Sequence, residues 1–273
     1  MPMRKTALRL TLLALVAGSA ADALAQSLPT SQPQFLQIYR ETVKPGRTFE
    51  HAKWEAGWPA AFEKAKSKYT YIAIASLTGP SEAWFISPFA SQAAYGQSLA
   101  DESDPVLAPE LERLSKGDAE FISDWTSIQA VAVPDLSHGA FPDMSKVRFY
   151  EVTTFRVKPG YYDEWVAATK AYKSAAARSA PSAGWRTYEV VAGAPGGTYL
   201  LMSTVGSFAE FDKMAAEGEA TWKNMTAEES AALGKFMKEG LISTVTQRFR
   251  VDPAMSYVDA ATKAKDAFWS PKK

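Results

Sequence analysis

Val43-Lys44-Pro45-Gly46 returns as Val157-Lys158-Pro159-Gly160, at an offset of 114 positions. Each copy follows a run rich in aromatic and β-branched residues, at residues 35 to 43 and 149 to 157. Such runs favour β-strands, and a Pro-Gly pair is typical of the turn that ends a strand. The repeat therefore predicts two halves with the same architecture.

Helical periodicity follows both turns. The stripe contains His51, Trp54, Glu55, Trp58 and Phe62 in the first half, and Trp165, Ala168, Thr169, Tyr172 and Ala176 in the second. Further strands are predicted at residues 69 to 77, 83 to 87 and 128 to 133, with counterparts at 185 to 192, 199 to 204 and 243 to 251. Further helices are predicted around residues 91 to 99 and 105 to 125, with counterparts around 207 to 216 and 227 to 239.

Each half thus follows the order β-α-β-β-α-β, which is that of a ferredoxin-like unit. Such a unit covers one sheet face with its own helices and leaves the other face open. Packing two open faces together removes both from water. The predicted fold class is therefore α+β, with two tandem ferredoxin-like halves that form one barrel within the chain.

The predicted boundaries begin with a signal peptide at residues 1 to 25. Arg4, Lys5 and Arg9 precede an apolar run, and Ala23-Leu24-Ala25 resembles a cleavage site. The remaining segments are the first half at 33 to 134, a linker at 135 to 145, the second half at 146 to 252 and a C-terminal tail at 253 to 273. This organisation predicts a periplasmic or secreted protein with no membrane association after cleavage.

Composition excludes several function classes. The formal net charge is zero, with basic residues scattered along the chain, which argues against a nucleic-acid-binding surface. The sequence contains no cysteine, so thiolate nucleophiles and cysteine-ligated metals are excluded. Its two histidines, His51 and His138, are far apart in sequence, and no metal site is predicted.

The strand, Lys-Pro-Gly and amphipathic-helix openings at residues 43 to 62 and 157 to 176 resemble those of the dimeric α+β barrel superfamily. That superfamily includes antibiotic-biosynthesis-type monooxygenases, NIPSNAP-like proteins and the haem-binding chlorite dismutase group. The resemblance implies a closed barrel, here in one chain, and hence a monomer or a homodimer. The haem-binding relatives carry their ligand on a helix of the second half, where Trp165 aligns with His51, so no cofactor is expected.

The candidate catalytic residues are His51 and Glu55. They lie four residues apart and hence on one helix face, where the pair could hold a proton. Pro59 cannot donate a hydrogen bond to the carbonyl of Glu55, so a break in this helix is predicted. The alternative is a pair of surface residues on a helix that ends early.

Aromatic residues suggest a ligand pocket in the first half. The candidate ligand-binding residues are Trp54, Trp58, Tyr69, Tyr71 and Trp84, and core packing is the alternative for each of them. Polar residues on the predicted strands indicate either an ion-paired seam or ligand anchors. They are Gln37, Arg40, Glu41, Glu151, Arg186, Glu189, Arg248 and Arg250.

Three functions fit these patterns. The first is an exported protein that binds a small apolar or aromatic molecule in a pocket of the first half. The second is a cofactor-independent monooxygenase or isomerase that acts on an aromatic substrate, with His51 as the base. The third is a structural envelope or stress protein that has no ligand.

Overall fold

The computed structural model describes residues 27 to 271, so the predicted signal peptide lies outside the described residues. The strands are β1 Phe35–Val43, β2 Tyr71–Ser76, β3 Glu82–Phe89, β4 Ile122–Ala132, β5 Phe149–Val157, β6 Arg186–Ala192, β7 Thr198–Val205 and β8 Leu241–Tyr257. The helices are α1 Thr48–Glu55, α2 Gly57–Lys64, α3 Gln92–Asp101, α4 Ala108–Asp118, α5 Tyr162–Ser179, α6 Glu210–Lys223, α7 Ala227–Lys235 and α8 Ala260–Lys265. Within these residues, no helix combines the length and the apolar character needed to cross a bilayer.

The eight strands close into one antiparallel barrel in the order β1-β3-β2-β8-β5-β7-β6-β4. Four strands come from each half, in the corresponding orders β4-β1-β3-β2 and β8-β5-β7-β6. The halves meet at two seams, where Ile74 pairs with Val251 and Ala130 pairs with Val190. All four side chains belong to the buried core inside the barrel, so closure removes apolar surface of both halves from water.

The repeated Lys-Pro-Gly turn has the same structural role in both halves. Gly46 and Gly160 have φ angles of +78° and +87°, a left-handed conformation that glycine adopts without steric cost. Each glycine redirects the chain from a barrel strand, β1 or β5, into a helix on the outside of the sheet. Alternation along β1 then sends Leu36 and Ile38 into the barrel and Gln37 and Tyr39 outward.

The helical layer differs between the halves. Residues 48 to 64 form two eight-residue helices, α1 and α2, interrupted at Ala56, whereas α5 runs without interruption for 18 residues. Pro59 lies in the first turn of α2, where its missing N–H is tolerated. The predicted break is therefore present.

Two predicted boundaries differ from the structure. The helix expected over residues 105 to 125 ends at Asp118, and β4 begins at Ile122 because this segment pairs with β1. Strand β8 extends to Tyr257, past the predicted boundary at residue 252. The segment beyond it packs against the barrel, since Trp269 is buried and belongs to the interior core.

Candidate functional site

A cavity of about 1030 Å³ lies in the first half, between the outward face of β1, β2 and β3 and helices α2, α3 and α4. We call it the first-half cavity. Strand alternation supplies Tyr39, Tyr71 and Phe85, while α2 supplies Trp58 and Phe62. The wall is therefore largely aromatic, as is usual for small-molecule pockets.

The candidate ligand-binding residues are divided between this cavity and other parts of the core. Trp58, Tyr69 and Tyr71 line the first-half cavity. Trp54 instead packs on α4, where its Nε1 donates to the carbonyl of Leu114 at 2.9 Å. Trp84 is fully buried inside the barrel, because alternation along β3 points it away from the helices.

The polar strand residues are also divided between the two faces. Arg40 pairs with Glu82 at 3.1 Å, and its guanidinium lies 4.2 Å from the ring of the buried Trp84. Arg248 pairs with Glu151 at 2.8 Å. These contacts join neighbouring strands as ion pairs, whereas Glu41 lines the first-half cavity.

Four polar side chains converge at one wall of this cavity: Glu41 from β1, His51 and Glu55 from α1, and Asp118 from the end of α4. One ligand atom of each lies within 4.8 Å of the others. His51 Nε2 is 2.9 Å from Glu41 Oε2 and 3.6 Å from Asp118 Oδ1. We call this group the carboxylate–imidazole cluster.

The cluster concentrates negative charge in a buried place. Burial raises the pKa of Glu55 well above its ordinary value, and the charges of Glu41 and Asp118 raise it further. Burial, followed by the charge of Glu41, raises the pKa of Asp118 to about 6, although His51 opposes this shift. Among residues 27 to 271, no Lys or Arg forms an ion pair with the three carboxylates. The charge therefore needs bound protons or a cation to balance it.

The carboxylates of this cluster face the cavity. Glu41, Glu55 and Asp118 line it, whereas His51 does not and is only 2% exposed. Glu55 accepts a hydrogen bond from Trp58 Nε1 at 2.9 Å, whereas His51 Nε2 forms its hydrogen bond with Glu41 Oε2, also at 2.9 Å. This arrangement places the carboxyl groups between the imidazole and any ligand.

Sequence reasoning singled out His51 and Glu55 but did not assign Glu41 or Asp118 to the same site. Comparison of the halves at the offset of 114 residues gives one indication that Glu41 belongs to the site. At that offset Glu41 corresponds to Phe155, just as His51 corresponds to Trp165. Asp118 had no comparable signal, because it lies within a segment predicted as uninterrupted helix.

The second half contains no imidazole at the position of a haem ligand suggested by the resemblance. Trp165 is buried there, with its ring 4.9 Å from Phe155, 5.2 Å from Tyr199 and 5.3 Å from Phe236. The other histidine, His138, forms an isolated backbone β-bridge with Trp185. Trp165 and the aromatic residues around it therefore do not fit a haem group.

No family model and no curated protein matches this sequence. Solved structures do match the fold. A protein from Lactobacillus acidophilus, provisionally named a monooxygenase, superposes with a TM-score of 0.51 at 9% identity, over 83% of this chain and 97% of that one. An anthrone oxidase-like protein gives 0.52 at 12% identity, over 82% and 94%.

A third structure, from Fusobacterium nucleatum and also provisionally named a monooxygenase, gives a TM-score of 0.50 at 9% identity, over 80% of this chain and 91% of that one. All three structures belong to the dimeric α+β barrel superfamily. Identities this low relate folds and not activities. The chain therefore has an α+β fold with a closed eight-stranded antiparallel barrel, and it shares this fold with the three structures.

Proposed function

We propose that the protein binds a small apolar or aromatic molecule in the first-half cavity. The observation that carries this proposal is a large aromatic wall combined with buried polar atoms that have no partner. Tyr71 Oη and Gln37 Oε1 both lie in cavity-lining residues, are buried and make no hydrogen bond. Buried polar atoms normally find partners, so a ligand with polar groups would satisfy them.

The charge of the wall restricts the ligand. Acidic residues outnumber lysines among those that line the cavity, and Glu41, Glu55 and Asp118 are concentrated at one wall. An anionic ligand would be repelled there. We therefore expect a neutral or cationic molecule whose hydroxyl or amino group points at the carboxylates.

Titration with Nile red, a neutral apolar dye, tests the binding proposal. We expect wild-type protein to bind it with saturation and the cavity-lining substitution Ser87→Phe to weaken binding at least tenfold. Ser243→Phe adds the same side chain at an exposed position of β8 and should leave binding unchanged. Equal binding by all three proteins, or no saturable binding, would contradict the proposal.

A second candidate is an isomerase or cofactor-independent oxygenase that acts on the bound molecule. It is favoured by the three carboxyl groups that face the cavity and could exchange a proton with a ligand. In this arrangement Glu55 would transfer the proton, and His51 would act as a positioning residue behind the carboxylates. Glu55→Gln should then abolish turnover of any substrate that displaces Nile red, whereas Glu228→Gln, at an exposed position of α7, should not.

Two further proposals concern origin and location. The corresponding strand orders of the two halves support descent from one ferredoxin-like unit by tandem duplication. The basic and apolar N-terminal residues support export. Fractionation of cells that produce the full chain, with mass determination of the mature N-terminus, tests export.

A further inference from the structure

We propose that Glu41, His51, Glu55 and Asp118 bind one divalent transition-metal ion at the wall of the first-half cavity. This inference goes beyond the proposed ligand binding. It is also an alternative to the proton-transfer candidate, because the same carboxylates would then be metal ligands. Metal binding can be measured without the organic ligand, so the two proposals can fail separately.

The donor atoms of the four residues lie close to the positions that one ion requires. One donor atom from each of the four residues lies within 4.8 Å of the others. Two ligand atoms that share an ion at about 2.0 to 2.2 Å lie roughly 3 to 4.4 Å apart. The donors therefore need only small shifts to surround an ion. They come from β1, α1 and α4. Helix α1 packs on α4, and the contact of His51 with Glu41 links α1 to β1.

The charge of the cluster also favours a bound cation. Three carboxylates and one imidazole share a buried wall, and no Lys or Arg within residues 27 to 271 pairs with the carboxylates. Buried charges are normally paired or coordinate a metal. A divalent cation would balance the cluster and would remove the need to keep its carboxyl groups protonated.

Tyr71, which lies outside the four cluster residues, also indicates a ligand at this place. Tyr71 Oη is buried and has no hydrogen-bond partner, although its residue lines the same cavity and experiences the negative charges of Glu55 and Glu41. A water or substrate held by the ion would form a hydrogen bond with the Tyr71 hydroxyl.

The donor set indicates the class of metal. One imidazole and three carboxylates suit zinc, manganese or ferrous iron, whereas calcium and magnesium prefer oxygen ligands alone. Because Glu41, Glu55 and Asp118 line the cavity, a further, exchangeable ligand could reach the ion from that side. The second half has Phe155, Trp165 and Thr169 at the corresponding offsets, so we expect one ion per chain.

Calorimetric titration of chelator-treated protein with zinc chloride tests this inference, and cobalt absorption reports the coordination geometry. We expect saturable binding near one ion per chain. Asp118→Asn should weaken it at least tenfold, and His51→Gln should do the same. Glu102→Gln changes a carboxyl group that lines the same cavity but lies outside the cluster, so it should bind like wild type.

Circular dichroism establishes that each variant is folded. Should His51→Gln unfold, Glu41→Gln provides a second test through a different element, with the same expected loss. Absence of saturable binding to folded wild-type protein would overturn the inference. Equal affinity in wild type, Asp118→Asn and Glu41→Gln would also overturn it. Nile red binding by the metal-free protein shows independently whether the organic ligand site is intact.

Discussion

The two halves of the barrel have side chains of opposite character at corresponding positions. In the first half, Glu41 and His51 form a buried polar pair at 2.9 Å beside a large cavity. In the second half, the residues at the same offset are Phe155 and Trp165, which pack at 4.9 Å. One scaffold therefore supports a polar site in one half and an apolar core in the other. A shared backbone plan does not determine chemistry, because side chains at corresponding positions can differ completely.

The helix contacts show a second exchange between the halves. Trp54 packs against Gly117 in the first half, and the residues at the corresponding offsets in the second half are alanines, Ala168 with Ala231 or Ala232. The first half thus has a tryptophan against a glycine where the second half has two alanines. Gly117 leaves room for Trp54 where α1 packs on α4, and Asp118, the last residue of α4, lies beside His51.

The largest expected effect tests whether the second half is stabilised by its aromatic packing. Trp165→Ala removes a buried side chain that contacts three other rings, so the free energy of unfolding should fall by about 3 to 5 kcal/mol. Urea denaturation measures this change. Trp222→Ala, at a half-exposed position of α6, should cost less than about 1 kcal/mol. Similar losses of stability in both variants would show that the aromatic packing around Trp165 does not specifically stabilise the second half.

An intermediate effect is expected at the helix contact of the first half. A methyl group at Gly117 would lie 2.0 Å from the Trp54 ring, which is held by its bond to Leu114. Gly117→Ala should therefore lower the free energy of unfolding by about 1 to 3 kcal/mol.

Gly96→Ala is the matched control for this substitution. Gly96 lies in α3 with open space around it, so alanine should stabilise by about 0.5 to 1 kcal/mol through helix propensity. The same thermal or urea denaturation series compares both variants. A gain of stability in Gly117→Ala would show that Trp54 can move without cost.

The smallest expected effect concerns pH and belongs to the first half alone. The raised pKa values of Asp118, about 6, and of Glu55 mean that the folded chain binds these protons more tightly than the unfolded chain. The stabilisation that results from this tighter proton binding is present at low pH. It is lost as the pH rises through the folded-state pKa values of the two carboxyl groups. For metal-free protein, Asp118 alone should lower the free energy of unfolding by about 1 kcal/mol between about pH 5 and pH 7.

Denaturation series at several pH values with a chelator present measure this effect. Asp118→Asn should show a smaller fall over the same range. Glu229 and Asp266, whose pKa values are lowered to about 2, titrate far below this window and should not contribute. An unchanged pH profile in Asp118→Asn would mean that this carboxyl group does not carry the effect.

Much of the fold follows from local patterns. The repeated Lys-Pro-Gly turn, the strand-like runs and Pro59 are short-range features, because backbone preferences act between neighbours. They predict the two strand-to-helix openings and the interruption before Pro59, both of which the structure contains. The end of α4 was missed, because the pairing of residues from Ile122 onward with β1 is a long-range contact.

The sequence by itself determined the order of strands and helices, the turns between them and the contrast between His51 and Trp165. Only the tertiary structure decided that Glu41 and Asp118 join His51 and Glu55, that Trp84 points into the barrel and that the cavity faces carboxylates. The physical reason is that barrel closure and strand register set which face each side chain occupies. A site assembled from β1, α1 and α4 therefore exists only after these elements have packed together.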